Sequence, residues 1–461
     1  MSAATEPATP GSVAIIGGSV AGFTAAHTLR ERGYAGAITV IDPNPYPYDR
    51  PPVSGDYLTG ALDEPGLRLG GAHWAEQHQI RWVQAVATEL HLGHRRAEQT
   101  AGSVATAATR STHLIRTGDG QQLSAEVVIL ATGASAAPFE HSLADQDGEP
   151  LPVLTVRDHT DVDRIRQLIT SRAEESHSSP PLRISVAGAG LLAAELAAGV
   201  HQLGAAVRLY QPHHRQAAEI FGDTIAELLD ADHARHGVEL IQQYLQADAL
   251  PEGFTAQTDL VLAAVGTVPN TQLAEQAGLP VIDGVAVDDR QRVDGVCGVY
   301  AIGDLTPGAK HWDQAVRSAQ RAVADLLDTS PTAEPDQVLP KQNEHHRVAP
   351  RWIWTDRYDT HAGALGEMTL AARPGYQLIE RWRHPIHEDE SPLQGSAASG
   401  GQRREHASFV LDPQHRLCAV AALNQPMVLR AATRLMQRGI VIDPVDLADP
   451  DLNLRSLIRN R

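Results

Sequence analysis

Cysteine is scarce in this chain of 461 residues: Cys297 and Cys418 stand far apart, and no Cys-x-x-Cys pair exists. A redox-active dithiol and a thiolate zinc site are thereby excluded, so redox chemistry has to belong to a bound cofactor. Long apolar runs are missing too, and none approaches the ~18 residues a membrane helix requires. The formal net charge of −18 argues against nonspecific binding to nucleic acid or to an anionic membrane. The opening residues lack a basic stretch followed by an apolar one, which predicts a cytoplasmic protein rather than an exported one. Histidines are numerous, yet neither His91-Leu-Gly-His94 nor His384-Pro-Ile-His387 forms a helical i, i+4 pair with an acid, so no metal site is expected.

Glycine, by contrast, is plentiful and twice falls into the same setting. The first copy reads Val13-Ala-Ile-Ile-Gly17-Gly-Ser19-Val-Ala-Gly22, then an Ala/Leu-rich run to Gly33 and the strand Ile38-Thr-Val-Ile41 ending at Asp42. The second reads Ile184-Ser-Val-Ala-Gly188-Ala-Gly190-Leu-Leu-Ala193, then a helical run to Gly204 and the strand Val207-Arg-Leu-Tyr210. In each, a β-branched strand enters a tight turn, with small residues where the backbone must approach a pyrophosphate at a helix N-terminus. Two such units imply two dinucleotides, one of them a flavin.

The length suggests roughly three domains. Prolines at alternate positions in Asp42-Pro-Asn-Pro-Tyr-Pro-Tyr-Asp-Arg50-Pro-Pro-Val-Ser forbid helix and predict an extended surface run. Buried strands are expected at Val127-Val-Ile-Leu-Ala131-Thr132-Gly133, at Asp259 to Val265 before Gly266, and at Gly298-Val-Tyr-Ala-Ile-Gly303-Asp304. The polar stretch from Ser171 to Pro181 reads as an exposed loop, and the stretch from Ser391 to Gln402 as a mobile one. Met427 to Arg438 is amphipathic. From His346 to Arg461 fifteen Arg face thirteen Asp and Glu, a near-neutral end on an acidic body that would suit an acidic partner or be ordinary surface. Strands alternating with helices, twice over, predict an α/β protein with two doubly wound Rossmann-like nucleotide-binding domains and a C-terminal α/β domain.

The ordered set Gly17-Gly-Ser-Val-Ala-Gly22, Tyr48-Asp-Arg50-Pro-Pro52, Ala131-Thr-Gly133, Gly188-Ala-Gly190, Val268-Pro-Asn270, Ala301-Ile-Gly303-Asp304 and His311-Trp312 is similar to the FAD-dependent ferredoxin and rubredoxin reductases. Trp354-Thr-Asp-Arg-Tyr358 and Ile442-Asp-Pro-Val-Asp-Leu-Ala-Asp-Pro450 resemble that family's last domain. The resemblance implies that hydride passes from a nicotinamide to FAD and that electrons leave singly to a ferredoxin-type iron–sulfur partner. It places an FAD domain at 1–153 and 281–345, a nicotinamide domain at 154–280 and a reductase-type domain at 346–461.

Gly17 permits the turn, and Gly22 lets the helix pack close and aim its N-terminus at the FAD pyrophosphate, with Ser19 adding a hydroxyl. Asp42, about 20 residues beyond the motif, is placed for the adenosine ribose hydroxyls; the plainer reading is a solvated turn aspartate. By the resemblance Arg50 reaches the FAD phosphates, Thr132 and Gly133 bring backbone to the cofactor, Asp304 after Gly303 accepts from ribityl hydroxyls, and Trp312 walls the flavin or is simply core.

The second cradle has Ala193 for its third glycine, and Gln211 where an NAD-preferring site wants an acid, with His213, His214 and Arg215 following. That favours NADPH over NADH, the alternative being histidines exposed in a loop. The resemblance further implies a lysine beside flavin N5 paired with a glutamate. Here the lysine position is Gly55 and the glutamate is Glu195. Lysine occurs otherwise only at Lys310 and Lys341, which raises a swapped pair of Lys310 with Glu195, or a Lys310 that faces solvent. Two rivals stay open. One is the same fold used as an oxidase or dehydrogenase of a small organic molecule, with Glu195 as base. The other is a flavin-binding protein without catalysis.

Overall fold

The computed structural model describes residues 9–93, 112–139, 143, 149–175, 180–212, 216–245, 250–251, 253–308, 310–327, 351–383 and 404–459. These divide into two compact units: 1–52, 62–135 and 267–334 form the first, and 53–61, 136–266 and 335–461 the second.

The first unit is built on a five-stranded parallel sheet whose neighbours run Val299–Ala301, Val127–Leu130, Ser12–Ile16, Ala37–Asp42 and Ile80–Gln84. Val127–Leu130 is apolar at every position and Ser12–Ile16 at all but its first, because both faces of the sheet are covered, as parallel sheets require. Val13, Ile15 and Ile129 pack on the helices Val20–Glu31 and Trp312–Leu327, whereas Ala14, Ile16 and Leu130 face Leu90, Ile115 and Leu279. A three-stranded antiparallel sheet, Ala87–His91, His113–Thr117 and Gln122–Ala125, supplies part of that second layer.

The second unit repeats the arrangement. Its parallel sheet runs Glu239–Ile241, Ala206–Tyr210, Arg183–Ala187, Leu260–Ala263 and Val153–Thr155, with the glycine-bearing strand again in the middle. The same unit holds an antiparallel sheet in the order Trp352–Arg357, Thr360–Leu365, Leu417–Leu423, His406–Leu411 and Gln377–Trp382. One face packs Phe409, Val420 and Ala422 on the helix Pro426–Arg438, and the other packs Val410, Ala419 and Ala421 on Phe221, Ile225 and Leu229.

Two expectations are corrected. Ser171 to Glu175 is not loop but the last turn of the helix His159–Glu175, since Arg, Ala and Glu favour helix whatever their polarity. The proline run is extended only as far as Arg50: Pro51–Ser54 is a 3-10 turn and Asp56–Thr59 a short helix, because proline is tolerated in a first turn, where its missing N–H would have no partner. The stretch from Ser391 to Gln402 lies outside the described residues. Among the described residues no helix is long and apolar enough to cross a membrane, and no cluster of His, Cys, Asp and Glu is placed to hold a metal ion.

Candidate functional site

Gly17 follows its strand with φ +106°, and its N–H donates to the Ile41 carbonyl at 2.9 Å. A Cβ there would lie 2.1 Å from the Ala131 oxygen, and one on Gly22 would lie 1.9 Å from the Gly17 oxygen. Both obstacles are backbone, so neither position accepts a side chain. Ser19 caps the helix Val20–Glu31 without a side-chain hydrogen bond, leaving the first-turn amides directed at an incoming anion. Asp42 is buried, at 8 % exposure, and accepts from the Gly18 N–H at 2.6 Å through one oxygen and from the Asn44 N–H and side-chain amide through the other. It is therefore no solvated turn residue.

Sequence reasoning passed over the neighbours that hold this loop. A Cβ on Gly18 would strike the Trp82 ring at 2.3 Å, and the Trp82 indole N–H donates to the Asn44 carbonyl at 2.9 Å. Thr132 donates to the Asn270 carbonyl at 2.9 Å while the Asn270 amide donates to the Thr132 carbonyl at 2.8 Å, so the Ala131-Thr-Gly133 and Val268-Pro-Asn270 motifs brace each other.

The remaining first-unit candidates are each held by local contacts. Gly303, with φ +71°, donates to the Ser318 hydroxyl, and a Cβ on it would meet Ala21 at 2.9 Å; Asp304 follows it, half-buried. Trp312 donates through its indole to Asp49 at 2.9 Å, and burial pushes the Asp49 carboxyl up from its ordinary value. Arg50 lies along the Tyr48 ring, and its buried Nε has no hydrogen-bond partner. Lys310 donates to the Thr306 carbonyl at 2.5 Å, with Asp283 and Asp304 as its anionic neighbours; burial lowers its pKa.

In the second unit Gly188 donates to the Tyr210 carbonyl at 3.0 Å, and a Cβ on it would lie 2.4 Å from the Ala264 oxygen. Gly190 precedes the helix Leu191–Gln202, and the Gln216 side-chain oxygen accepts from the Leu191 N–H at 3.3 Å. Ala193 is fully buried under the turn, and Gly266 stands open, with φ +126°. Gln211 is buried, and its side-chain amide donates to Asp230 at 3.4 Å. His213, His214 and Arg215 lie outside the described residues.

Glu195, on that same helix, accepts from the Ser54 hydroxyl at 2.6 Å and from the Thr355 hydroxyl at 2.8 Å. Burial and, more weakly, Asp356 raise its pKa, against the two hydroxyls and Arg357, which lower it. Lys310 donates within its own loop, and Glu195 accepts from the two hydroxyls of its own unit. Gly55 has no heavy atom within 4 Å of where its Cβ would stand.

The pattern of the pyridine nucleotide-disulphide oxidoreductase family matches residues 11–322, more than half of the chain. The chain belongs to this family. It is an oxidoreductase of the FAD and NAD(P)H type, and residues 393–458 match the reductase C-terminal domain. Over 97 % of both chains it is 28 % identical to the benzene 1,2-dioxygenase system ferredoxin–NAD(+) reductase subunit of Pseudomonas putida. It is 27 % identical to rhodocoxin reductase of Rhodococcus erythropolis, over 97 % of this chain and 94 % of that one. Among solved structures it shares the fold of the reductase in a covalent putidaredoxin reductase–putidaredoxin complex, at a TM-score of 0.70 and 21 % identity, covering 97 % of this chain and 98 % of that one.

The first cradle fits FAD on its own geometry: a Cβ-free turn, an uncapped helix end and an unpartnered guanidinium Nε on Arg50 are what a pyrophosphate needs. Bound FAD supplies the capacity to accept hydride and release electrons singly. The residues that would hold it are Gly17 and Gly22, with the Asp42 carboxylate fixing the turn.

Proposed function

We propose that this protein takes hydride from a nicotinamide nucleotide onto FAD and delivers the electrons to a ferredoxin-type iron–sulfur protein, in the cytoplasm. The observation that carries this reading is the repeat of one glycine geometry in a chain that parallels, over nearly its full length, relatives named as ferredoxin reductase components of dioxygenase systems. In this reading Gly17, Ser19, Gly22, Asp42, Arg50, Thr132, Gly133, Gly303, Asp304 and Trp312 hold FAD, and Gly188, Gly190, Ala193, Arg215 and Gly266 hold the nicotinamide nucleotide. Glu195 is the ionisable group on the nicotinamide side, and Lys310 tunes the flavin side through its ammonium. The chain is then organised as an FAD domain at 1–153 and 281–345, a nicotinamide domain at 154–280 and a reductase-type domain at 346–461. Gln211, an amide where a ribose-binding acid would exclude a 2′-phosphate, supports NADPH as donor.

The test is anaerobic mixing of the yellow protein with NADPH and, separately, NADH. Bleaching within seconds by NADPH, followed by cytochrome c reduction only when a ferredoxin is added, is the expected outcome. Bleaching by NADH alone would overturn the nucleotide assignment. Rapid oxygen consumption with no need of ferredoxin would favour an oxidase, the reading to which the missing ammonium at Gly55 lends support.

A further inference from the structure

Gly199 stands inside the helix Leu191–Gln202, where glycine is less favourable than alanine because it loses more conformational freedom. A short excursion of the chain fills the space it leaves. Residues 53–61 belong to the second unit, although the chain on either side of them belongs to the first. Pro51–Ser54 opens the excursion with a tight turn, Asp56–Thr59 adds one turn of helix, and Gly60, with φ +82°, ends it. A Cβ on Gly199 would lie 2.5 Å from a Leu58 methyl and 3.2 Å from the Ser54 carbonyl oxygen. Leu58 is fully buried, so its methyl has no open space to swing into.

The two segments match in spacing. Glu195 and Gly199 lie one turn apart on one face of their helix, and Ser54 and Leu58 are likewise four residues apart. The Ser54 hydroxyl donates to Glu195 at 2.6 Å, and Leu58 lies against Gly199. The excursion is also tied to the helix His159–Glu175. There the Tyr57 hydroxyl donates to Asp163 at 2.9 Å, the Arg166 guanidinium stands 5.8 Å from the Tyr57 ring centre, and His159 meets that ring edge to face. Thr355 is the second donor to Glu195, at 2.8 Å, while Arg357 and Asp356 of the same strand act on the carboxylate without a hydrogen bond.

We propose that Gly199 is a positioning residue: its missing side chain is the seat that lets the 53–61 excursion close on the helix and bring the Ser54 hydroxyl to Glu195. A methyl group there would press on Leu58 and on the Ser54 carbonyl, lifting the excursion and parting hydroxyl from carboxylate. Alanine would thus suit the helix and break the contact. The bearing of this contact on hydride transfer rests on the function proposed above; the seat itself does not.

The experiment uses the full chain and the variants Ser54→Ala, Gly199→Ala, their combination, and Gly199→Ala with Leu58→Ala. Infrared spectra recorded against pH, with the Glu195 band identified by its loss in Glu195→Gln, give the pH at which that carboxyl is half protonated. Loss of a donor that favours the charged form should raise this midpoint by about one pH unit in Ser54→Ala, and Gly199→Ala should raise it as far. The combination should add nothing to either, and Leu58→Ala should bring the Gly199→Ala midpoint back by returning the space. A midpoint unmoved in either single variant, additive shifts in the combination, or no return with Leu58→Ala would overturn the proposal. If Gly199→Ala does not fold, Tyr57→Phe, which cuts the tie to Asp163, decides: it should raise the midpoint only where Ser54 is present. With flavin bound, bleaching by NADPH should slow by about threefold to tenfold, alike in Ser54→Ala, Gly199→Ala and their combination. Unchanged bleaching beside the expected midpoints would overturn the catalytic consequence alone. Wild-type protein that neither nucleotide bleaches would overturn the proposed function, and the midpoints would still decide the seat.

Discussion

At Gly17 an added Cβ would lie 2.1 Å from the Ala131 oxygen, and at Gly188 one would lie 2.4 Å from the Ala264 oxygen. The two turns close alike, Gly17 donating to Ile41 and Gly188 to Tyr210, and each follows the middle strand of a parallel sheet. Beyond the turn they diverge. The first has Gly22 under the helix, where a Cβ would lie 1.9 Å from backbone, and closes on a carboxylate, Asp42, with both oxygens occupied. The second accommodates Ala193 and ends on an amide, Gln211. Backbone sterics set the shared part; the chemistry at the strand end sets the two halves apart.

The largest effect should come from Gly22→Ala. Its obstacle is a carbonyl that cannot move aside, so the protein should purify colourless and less stable by about 1–3 kcal/mol. The reciprocal Ala193→Gly should keep its flavin and lose only about 0.5–1 kcal/mol of helix stability. Visible absorbance and thermal melts check both, and a yellow Gly22→Ala protein would break the asymmetry. A middling effect is expected from Asp42→Ala, which leaves the Gly18 and Asn44 donors unsatisfied. At about 1–3 kcal/mol, flavin binding should weaken by roughly tenfold to a hundredfold, read by titration of the apoprotein. The smallest is Arg215→Ala: the KM for NADPH should rise by about tenfold while that for NADH stays put, as expected if a guanidinium serves the 2′-phosphate.

Both cradles were legible because strand, turn and helix are contiguous, and the glycine spacing carries the geometry by itself. What was missed depends on residues distant in sequence. Gly18 is obligatory because of Trp82, and the brace between Thr132 and Asn270 joins positions 138 apart. Glu195 stands out in the sequence, but its partners Ser54 and Thr355 come from two distant stretches that no local pattern connects. The last turn of His159–Glu175 is polar enough to resemble a loop, yet Arg, Ala and Glu favour helix whatever their polarity.

Gln216 gives the second half a property the first lacks. Its side-chain oxygen accepts from the Leu191 N–H at the entrance of the helix, so under the proposed function a nucleotide pyrophosphate would take the place of a neutral acceptor that belongs to the same chain.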